Sequence, residues 1–341
     1  MKIGVLTGGG DCPGLNAVVR AIVKKAEKGG DQVLGIKNGW AGLVKGLVEP
    51  LTDFSVSGIL PKGGTILGTS RTNPFQEQES VQRGLANFKK YGLDALVAIG
   101  GEDTLGVARR FWEQGMAVVG VPKTIDNDLG GTDQTFGFDT AVNVVTDAID
   151  RLHSTAESHH RIMVVEVMGR DSGWIATAAA IAGGADYCVI PERPFSLDEV
   201  CASLKRRRER GKEFSIIVVA EGARSADGQV VTQDSSVDQF GHVRLGGIGT
   251  WLAKEIERRT GIESRVTILG HIQRGGTPSA FDRIIATRFG LRAVDLIRGK
   301  RYGRMVCLAG LQIADVELPG EEQKKRAFDL DFFRDAEVFF G

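Results

Sequence analysis

The sequence has no Cys-x-x-Cys pair. Its four thiols, Cys12, Cys188, Cys201 and Cys307, are scattered, so neither a zinc site nor a disulfide framework is indicated and reduced cytosolic thiols are expected. Long apolar runs are lacking too: none reaches the roughly 18 residues of a membrane span. The opening MKIGVLTGGG enters an apolar segment at once, without the basic region and cleavage site of a signal peptide. A cytoplasmic protein without a membrane partner is the expectation. Net charge is also missing, because 43 basic residues balance 43 acidic ones. No overall footprint for nucleic acid exists, and an anionic ligand must be met locally. Short repeats, coiled-coil heptads and low-complexity tracts are absent.

What is present is a chain of 341 residues, 42% hydrophobic and 25% charged. Single cores stop growing near roughly 250–300 residues, so two lobes and a cleft are predicted. Short β-branched runs recur at Ile3 to Leu6, Ala95 to Ile99, Ala117 to Val121, Ile162 to Val167, Tyr187 to Ile190, Phe214 to Ala220 and Arg265 to Leu269. Between them lie segments of helical period, such as Pro13 to Lys28, Thr104 to Glu113, Thr140 to Glu157 and Ser279 to Arg298. Continuous apolar strands alternating with helices predict an α/β fold with parallel-rich sheets, whose ligands sit beyond the strands' carboxyl ends. The polar stretch Arg224 to Gly247 reads as a long surface excursion, and the basic run Lys205 to Arg210 as a solvated helix face.

Those strand ends carry the chemistry. Thr7-Gly8-Gly9-Gly10-Asp11-Cys12-Pro13-Gly14 stands between a strand and a helix with Pro13 in its first turn. Its glycines allow backbone N–H groups to approach phosphate oxygens, although a tight turn without a ligand has the same composition. It is no Walker A loop and no clean G-x-G-x-x-G, and the next strand, ending near Lys37, lacks the acid that would hold a ribose diol. A nicotinamide dehydrogenase is disfavoured. Gly100-Gly101-Glu102-Asp103 places two carboxylates at a helix start, where they either cap the helix or hold magnesium. Lys123-Thr124-Ile125-Asp126-Asn127-Asp128 offers a cation and two acids, which share a face if the segment is extended. Arg170, in Glu166-Val167-Met168-Gly169-Arg170, stands at a strand end in reach of a phosphoryl group in transit. Glu221, Arg265, His271 and Arg274, also placed near strand ends, suit a sugar phosphate.

With these residues laid out, the chain resembles the phosphofructokinase family over nearly its whole length. TGGGDCPGLNAVVR, GGTILGTSR, TIDNDL, VVEVMGR and LGHIQRGGTP match that family's motifs in order. The resemblance implies a two-lobed α/β subunit with the active site in the interlobe cleft. One lobe, 1–137 plus about 273–323, would bind pyrophosphate and Mg2+, and the other, 138–272 plus about 324–341, fructose 6-phosphate. It makes Asp126 the base for the sugar 1-hydroxyl, with Thr124 beside the substrate and Asp128 near the metal, and Arg170 the stabiliser of the transferring group. Met168, Gly169, Glu221, His271 and Arg274 would line the sugar pocket. Arg161 and Arg265 would reach it from an adjacent subunit of a homo-oligomer, dimer or tetramer. Gly10, Gly101 and Arg71 would hold the donor, and Glu102 the Mg2+.

Asp103 and Lys123 set the expected donor. The ATP-dependent branch typically has glycine where this chain has Asp103. A carboxylate there would meet the nucleotide α-phosphate with a clash and like-charge repulsion. Lys123 would supply charge to a donor without nucleoside contacts. The implied reaction is reversible transfer from pyrophosphate to fructose 6-phosphate. An ATP-dependent 6-phosphofructokinase and a non-catalytic sugar-phosphate sensor are the rival readings. Arg20, Asp53 and His153 correspond to a basic nucleotide effector site. With an acid at Asp53, activation by ADP is expected to be weak or absent, to be read by ADP titration of the substrate kinetics.

Overall fold

The structure, a computed structural model, describes residues 1–226, 232–237, 243–320 and 325–341. Its strands are β1 Lys2–Thr7, β2 Gln32–Ile36, β3 Val48–Leu51, β4 Ala95–Gly100, β5 Val118–Thr124, β6 Phe136–Gly137, β7 Ile162–Val167, β8 Tyr187–Val189, β9 Ser215–Ala220, β10 Thr232–Val237, β11 Val243–Leu245, β12 Ser264–Ile268, β13 Arg304–Ala309 and β14 Gln312–Glu317. Its helices are α1 Leu15–Lys28, α2 Gly39–Lys45, α3 Gln78–Lys90, α4 Glu102–Glu113, α5 Phe138–His159, α6 Trp174–Ala182, α7 Leu197–Glu209, α8 Ile248–Thr260, α9 Ala280–Arg298 and α10 Leu330–Glu337. They divide into two compact units. The first comprises Met1–Ile125, Leu129–Thr140 and Arg274–Arg326; the second comprises Asp126–Asp128, Ala141–Gln273 and Ala327–Gly341.

The first unit is built on a sheet ordered β14-β13-β5-β4-β1-β2-β3, with β6 paired to β5. Its inner pairings are parallel, and antiparallel pairs close both edges, β2 with β3 and β13 with β14. β4 throughout and β1 from Ile3 to Leu6 are apolar, as strands of a sheet covered on both faces by helices are. Residues Val18, Val19, Ile22 and Val23 bury one side of α1. α9 crosses it closely at Gly290, where an added Cβ would stand 2.7 Å from the Val18 carbonyl oxygen.

The second unit has a parallel sheet ordered β12-β7-β9-β8. Its core joins Val164, Ile217 and Val219 to Leu252 and Ile256 of α8 and to Val200 and Leu204 of α7. All seven apolar runs picked from the sequence are strands, β1, β4, β5, β7, β8, β9 and β12.

Two local expectations need correction. α1 begins at Leu15 behind Gly14, whose φ of 109° ends the preceding turn, so Pro13 precedes the helix instead of lying in its first turn. The polar stretch from Arg224 connects β9 to α8 and contains the antiparallel pair β10–β11, which the sequence reading did not pick out; residues 227–231 and 238–242 of it lie outside the described ones. In the basic run on α7, Arg207 is not solvated like its neighbours, being ion-paired with Asp186 at 2.7 Å.

The starts of α5 and α9 interlock through a buried acid. Asp282, fully enclosed, accepts from the Thr140 amide at 2.8 Å and from its hydroxyl, and Ser279 caps α9. Burial pushes the Asp282 carboxyl up to about 6, against the bonds from Thr140, which favour the anion. A native carboxyl above its unfolded value binds more protons than the unfolded chain between about pH 4 and pH 6, so its ionisation subtracts stability as pH rises through that window. Asp282→Asn removes the titration. Chemical denaturation at several pH values should therefore show the stability of wild type relative to the variant falling by on the order of 3 kcal/mol from pH 4 to 7. A difference independent of pH would refute the assignment.

Candidate active site

In the first unit the sheet order reverses at β1, which has β2 on one side and β4 on the other. In open α/β sheets the carboxyl ends of the strands at such a reversal are where ligands bind. In register, Thr7 lies opposite Ile99. Gly8 and Gly100 follow them, and both face Thr104 in the first turn of α4. An added Cβ would stand 2.6 Å from Thr104 Oγ1 at Gly8 and 2.3 Å from Thr104 Cβ at Gly100. Glycine is thus required here for close packing of loop on helix.

The loop's amides are used differently from the sequence expectation. Gly8 N–H donates to the Ile99 carbonyl at 2.9 Å and Gly9 N–H to the Ser70 carbonyl at 3.1 Å, so these two hold the loop to its neighbours. The bond to Ser70 also brings the exposed Arg71 next to the loop. Lys123, only 4% exposed, donates from Nζ to the Gly10 carbonyl. Arg274 belongs to this unit as well: its guanidinium donates to the Asp11 carbonyl at 3.3 Å, and an added Cβ at Gly10 would stand 2.4 Å from it. Two cations thus converge on Gly10. Cys12 is no nucleophile, because burial pushes its thiol up to about 12.

α4 opens on Gly101 without a side-chain cap, and its first turn carries Glu102, exposed, and Asp103, half-buried. No cluster of three or more His, Cys, Asp or Glu that could hold a metal occurs among the described residues. Magnesium fits such a place, because it is commonly held by one or two carboxylates together with substrate phosphates and not by an all-protein cage. Thr124 ends β5, half-buried, and its carbonyl accepts from Thr135 at 2.8 Å.

Beyond Ile125 the chain enters the second unit. Asn127 takes a left-handed conformation, φ 53°, so the strand does not continue through Asp126 and Asp128 and the expected alternation does not apply. Both acids are half-buried. The Asp126 backbone is tied to the loop after β7, since Ser172 Oγ donates to its carbonyl at 3.4 Å.

That loop carries Met168, Gly169 and Arg170, three of the residues expected around the sugar, and bonds a fourth, Glu221. Arg170 takes φ 52° and Gly169 φ 144°, and a Cβ at Gly169 would fall 2.4 Å from the Ser172 carbonyl oxygen. Arg170 N–H donates to Glu221 Oε1 at 3.2 Å, and Met168 N–H to Gln273 Oε1 at 3.3 Å. His271 is exposed in the turn after β12, at the same end of the sheet. Gln273 and Glu166 carry structural duties that the sequence did not signal. Fully buried Gln273 links Met168 to the Gly270 carbonyl. Glu166 accepts from the amides of Gly247 at 3.0 Å and Gly249 at 2.8 Å, supplying α8 with the cap its glycine start lacks.

Arg161 and Arg265 lie elsewhere. They flank the beginnings of β7 and β12, where Met163 pairs with Arg265 in register, while Met168, Arg170 and His271 follow the ends of the same parallel strands. Six residues of strand span about 20 Å. Both arginines bind Glu263, Arg161 Nε at 2.9 Å, and the Arg161 guanidinium holds that carboxyl below its ordinary range. Arg265 thus stands at the opposite end of β12 from His271. Of the effector-site positions, Asp53 pairs with Lys24 and the His153 ring packs edge-on against Phe214, its Nε2 3.0 Å from the Gly183 carbonyl oxygen.

A phosphofructokinase family profile matches residues 2–297. Pyrophosphate–fructose 6-phosphate 1-phosphotransferase of Amycolatopsis mediterranei is 56% identical, and that of Streptomyces coelicolor 54%, each match spanning 100% of both chains. ATP-dependent 6-phosphofructokinase 2 of Streptomyces coelicolor is 49% identical over the same full lengths. Among solved structures, phosphofructokinase from Saccharomyces cerevisiae superposes with a TM-score of 0.83 at 31% identity, over 99% of this chain and 46% of the yeast chain. The chain belongs to the phosphofructokinase family.

Proposed function

We propose that this chain transfers a phosphoryl group from pyrophosphate to the 1-hydroxyl of D-fructose 6-phosphate, reversibly, giving fructose 1,6-bisphosphate and orthophosphate. The observation that carries the choice of donor is Asp103, a half-buried carboxylate in the first turn of α4, which follows β4. In this reading its charge and volume oppose a nucleotide's α-phosphate. The names of the relatives at 54–56% identity support the same choice, against 49% for the ATP-dependent one.

In this reading the first unit serves the donor. Gly10, Gly101 and Arg71 contact its phosphates, and the Lys123 ammonium under Gly10 and the Arg274 guanidinium beside it offset their charge. Glu102 would hold Mg2+, which when bound neutralises charge on the donor oxygens. Asp103 limits the donor's length. The second unit serves the acceptor. Asp126 takes the proton of the 1-hydroxyl, Arg170 stabilises charge on the group in transit, and Met168, Gly169, Glu221 and His271 contact the sugar, with Thr124 beside it. Arg274 was expected among the sugar contacts; its bond to Asp11 favours a place by the donor loop.

Arg161 and Arg265 enter as residues of a second copy. Their place at the beginning of strands whose ends carry the sugar contacts supports a shared active site in a homo-oligomer, dimer or tetramer. No helix among the described residues is long and apolar enough to cross a membrane, which accords with a cytoplasmic enzyme.

The test offers pyrophosphate and ATP in turn to the purified protein with fructose 6-phosphate and magnesium, and measures fructose 1,6-bisphosphate. Turnover with pyrophosphate is expected to exceed turnover with ATP by roughly two orders of magnitude or more, the discrimination that several kcal/mol provides. Faster turnover with ATP would reverse the donor assignment, and turnover with neither would favour a non-catalytic sugar-phosphate sensor.

A further inference from the structure

Helix α6 starts without a cap of its own. Its N-cap is Gly173, which has no side chain to offer, yet the Gly173 amide donates at 2.9 Å to Glu192 Oε1, a carboxylate from the turn after β8. The two segments are in close contact: an added Cβ at Gly173 would stand 2.7 Å from Ile190 Cβ and 2.9 Å from Glu192 Oε2. That second oxygen is buried with no hydrogen-bond partner. Burial pushes the Glu192 carboxyl up, and the nearby Asp171 carboxylate adds to the shift. An acid kept there against its own desolvation calls for a reason.

The reason lies three residues upstream. Gly169 and Arg170 both have positive φ, 144° and 52°, and the loop is closed by the Ser172 amide donating to the Gly169 carbonyl at 2.8 Å. Such conformations persist where the surroundings over-determine them. Here two carboxylates do so, Glu221 through the Arg170 amide and Glu192 through the Gly173 amide. Glu221 is assigned to the sugar, which leaves Glu192 as an anchor at the loop's far end.

We propose that Glu192 is a positioning residue for phosphoryl transfer: through the Gly173 amide it fixes the Gly169–Gly173 loop and with it the guanidinium of Arg170. The proposal rests on the assignment of Arg170 to the transferring group. Displacement of a catalytic group by about 1 Å can lower turnover 100-fold. A helix cap alone would affect stability without discriminating between kinetic constants.

The experiment compares Glu192→Ala and Glu192→Gln in the full chain. Glu192→Ala is expected to lower kcat roughly 10- to 100-fold while the KM for pyrophosphate, bound by the other unit, stays within about twofold. Glu192→Gln keeps a carbonyl oxygen for the Gly173 amide and should recover kcat to within about threefold of wild type. Hydrogen exchange of the backbone from Met168 to Trp174, measured without substrate, should speed up in the alanine variant and remain as in wild type in the glutamine variant. Unchanged exchange in Glu192→Ala would overturn the anchor itself. Faster exchange with unchanged kcat would overturn the proposal through its premise, the role of Arg170. Equal loss in both variants would also overturn it, because the amide bond would then not be what matters. If wild type proves to use ATP and not pyrophosphate, the same comparison is made with ATP, since Glu192 stands in the unit assigned to the acceptor.

Discussion

Asp126→Ala is expected to lower kcat by roughly 10² to 10⁴-fold, the contribution of a general base, while the KM for fructose 6-phosphate changes by less than about fivefold. The 1-hydroxyl of a sugar is a weak nucleophile, and its proton must go to a base as the new O–P bond forms. Asp126 is half-buried next to the loop of Arg170. The bond from Ser172 ends on its backbone carbonyl, which alanine retains. The variant should therefore keep the loop in place, and loss of turnover would report chemistry and not misfolding. Thermal unfolding near that of wild type, together with steady-state kinetics in both reaction directions, makes the check. The loss should be similar in both directions, because the group that accepts a proton from the sugar hydroxyl returns it in reverse. Turnover within about threefold of wild type would remove Asp126 from the role of base.

The sheets were legible because their strands are buried on both faces. β4 and β7 have no exposed side and show as apolar runs, Ala-Leu-Val-Ala-Ile unbroken and Ile-Met-Val-Val-Glu-Val interrupted once. The one acid in the second run, Glu166, is buried at 3% exposure because α8 lends it two amides. A sequence does not display that exchange. The hairpin β13–β14 was not picked out for a related reason: β14 reads Gln-Ile-Ala-Asp-Val-Glu, and its Asp315 resembles a surface residue. The side chain is 4% exposed and is met by Arg292, Arg301 and Arg304, residues 11 to 23 positions away in sequence.

Within the candidate site, residue types were easier to read than directions. Glycine, lysine and acids at strand ends point to phosphate chemistry by residue type alone. Which glycine amides turn inward depends on the neighbouring Ile99 and Ser70 carbonyls, and the bend at Asn127 depends on a single left-handed residue. Both are tertiary facts. Arg265, one residue in from the start of β12, stands at the opposite end of that strand from His271, and a linear motif does not say which end of a strand faces a ligand.

Asp103→Gly should narrow the donor preference, and here the expected effect is a gain. Asp103 lies in the first turn of α4, where its charge favours the helix by about 0.3–1 kcal/mol and glycine adds up to about 1 kcal/mol of conformational penalty. A loss of that size leaves a chain with this much buried core folded. What the carboxylate opposes is larger. Two unit negative charges about 4 Å apart repel by about 4 kcal/mol at an effective dielectric of 20. Asp103 is half-exposed, so solvent and Mg2+ reduce this to roughly 1.5–3 kcal/mol, a factor of about 10 to 100 in kcat/KM. The variant should therefore raise kcat/KM for ATP by that factor. Turnover with pyrophosphate should fall less, because Lys123 and Arg274 remain around Gly10. Glycine also removes the side-chain volume, whereas Asp103→Asn removes the charge and keeps the shape. If asparagine admits ATP as well as glycine does, repulsion governs donor choice; if only glycine does, volume governs it. An intact Asp103→Gly variant with ATP turnover no higher than wild type would show that neither property of residue 103 sets the donor.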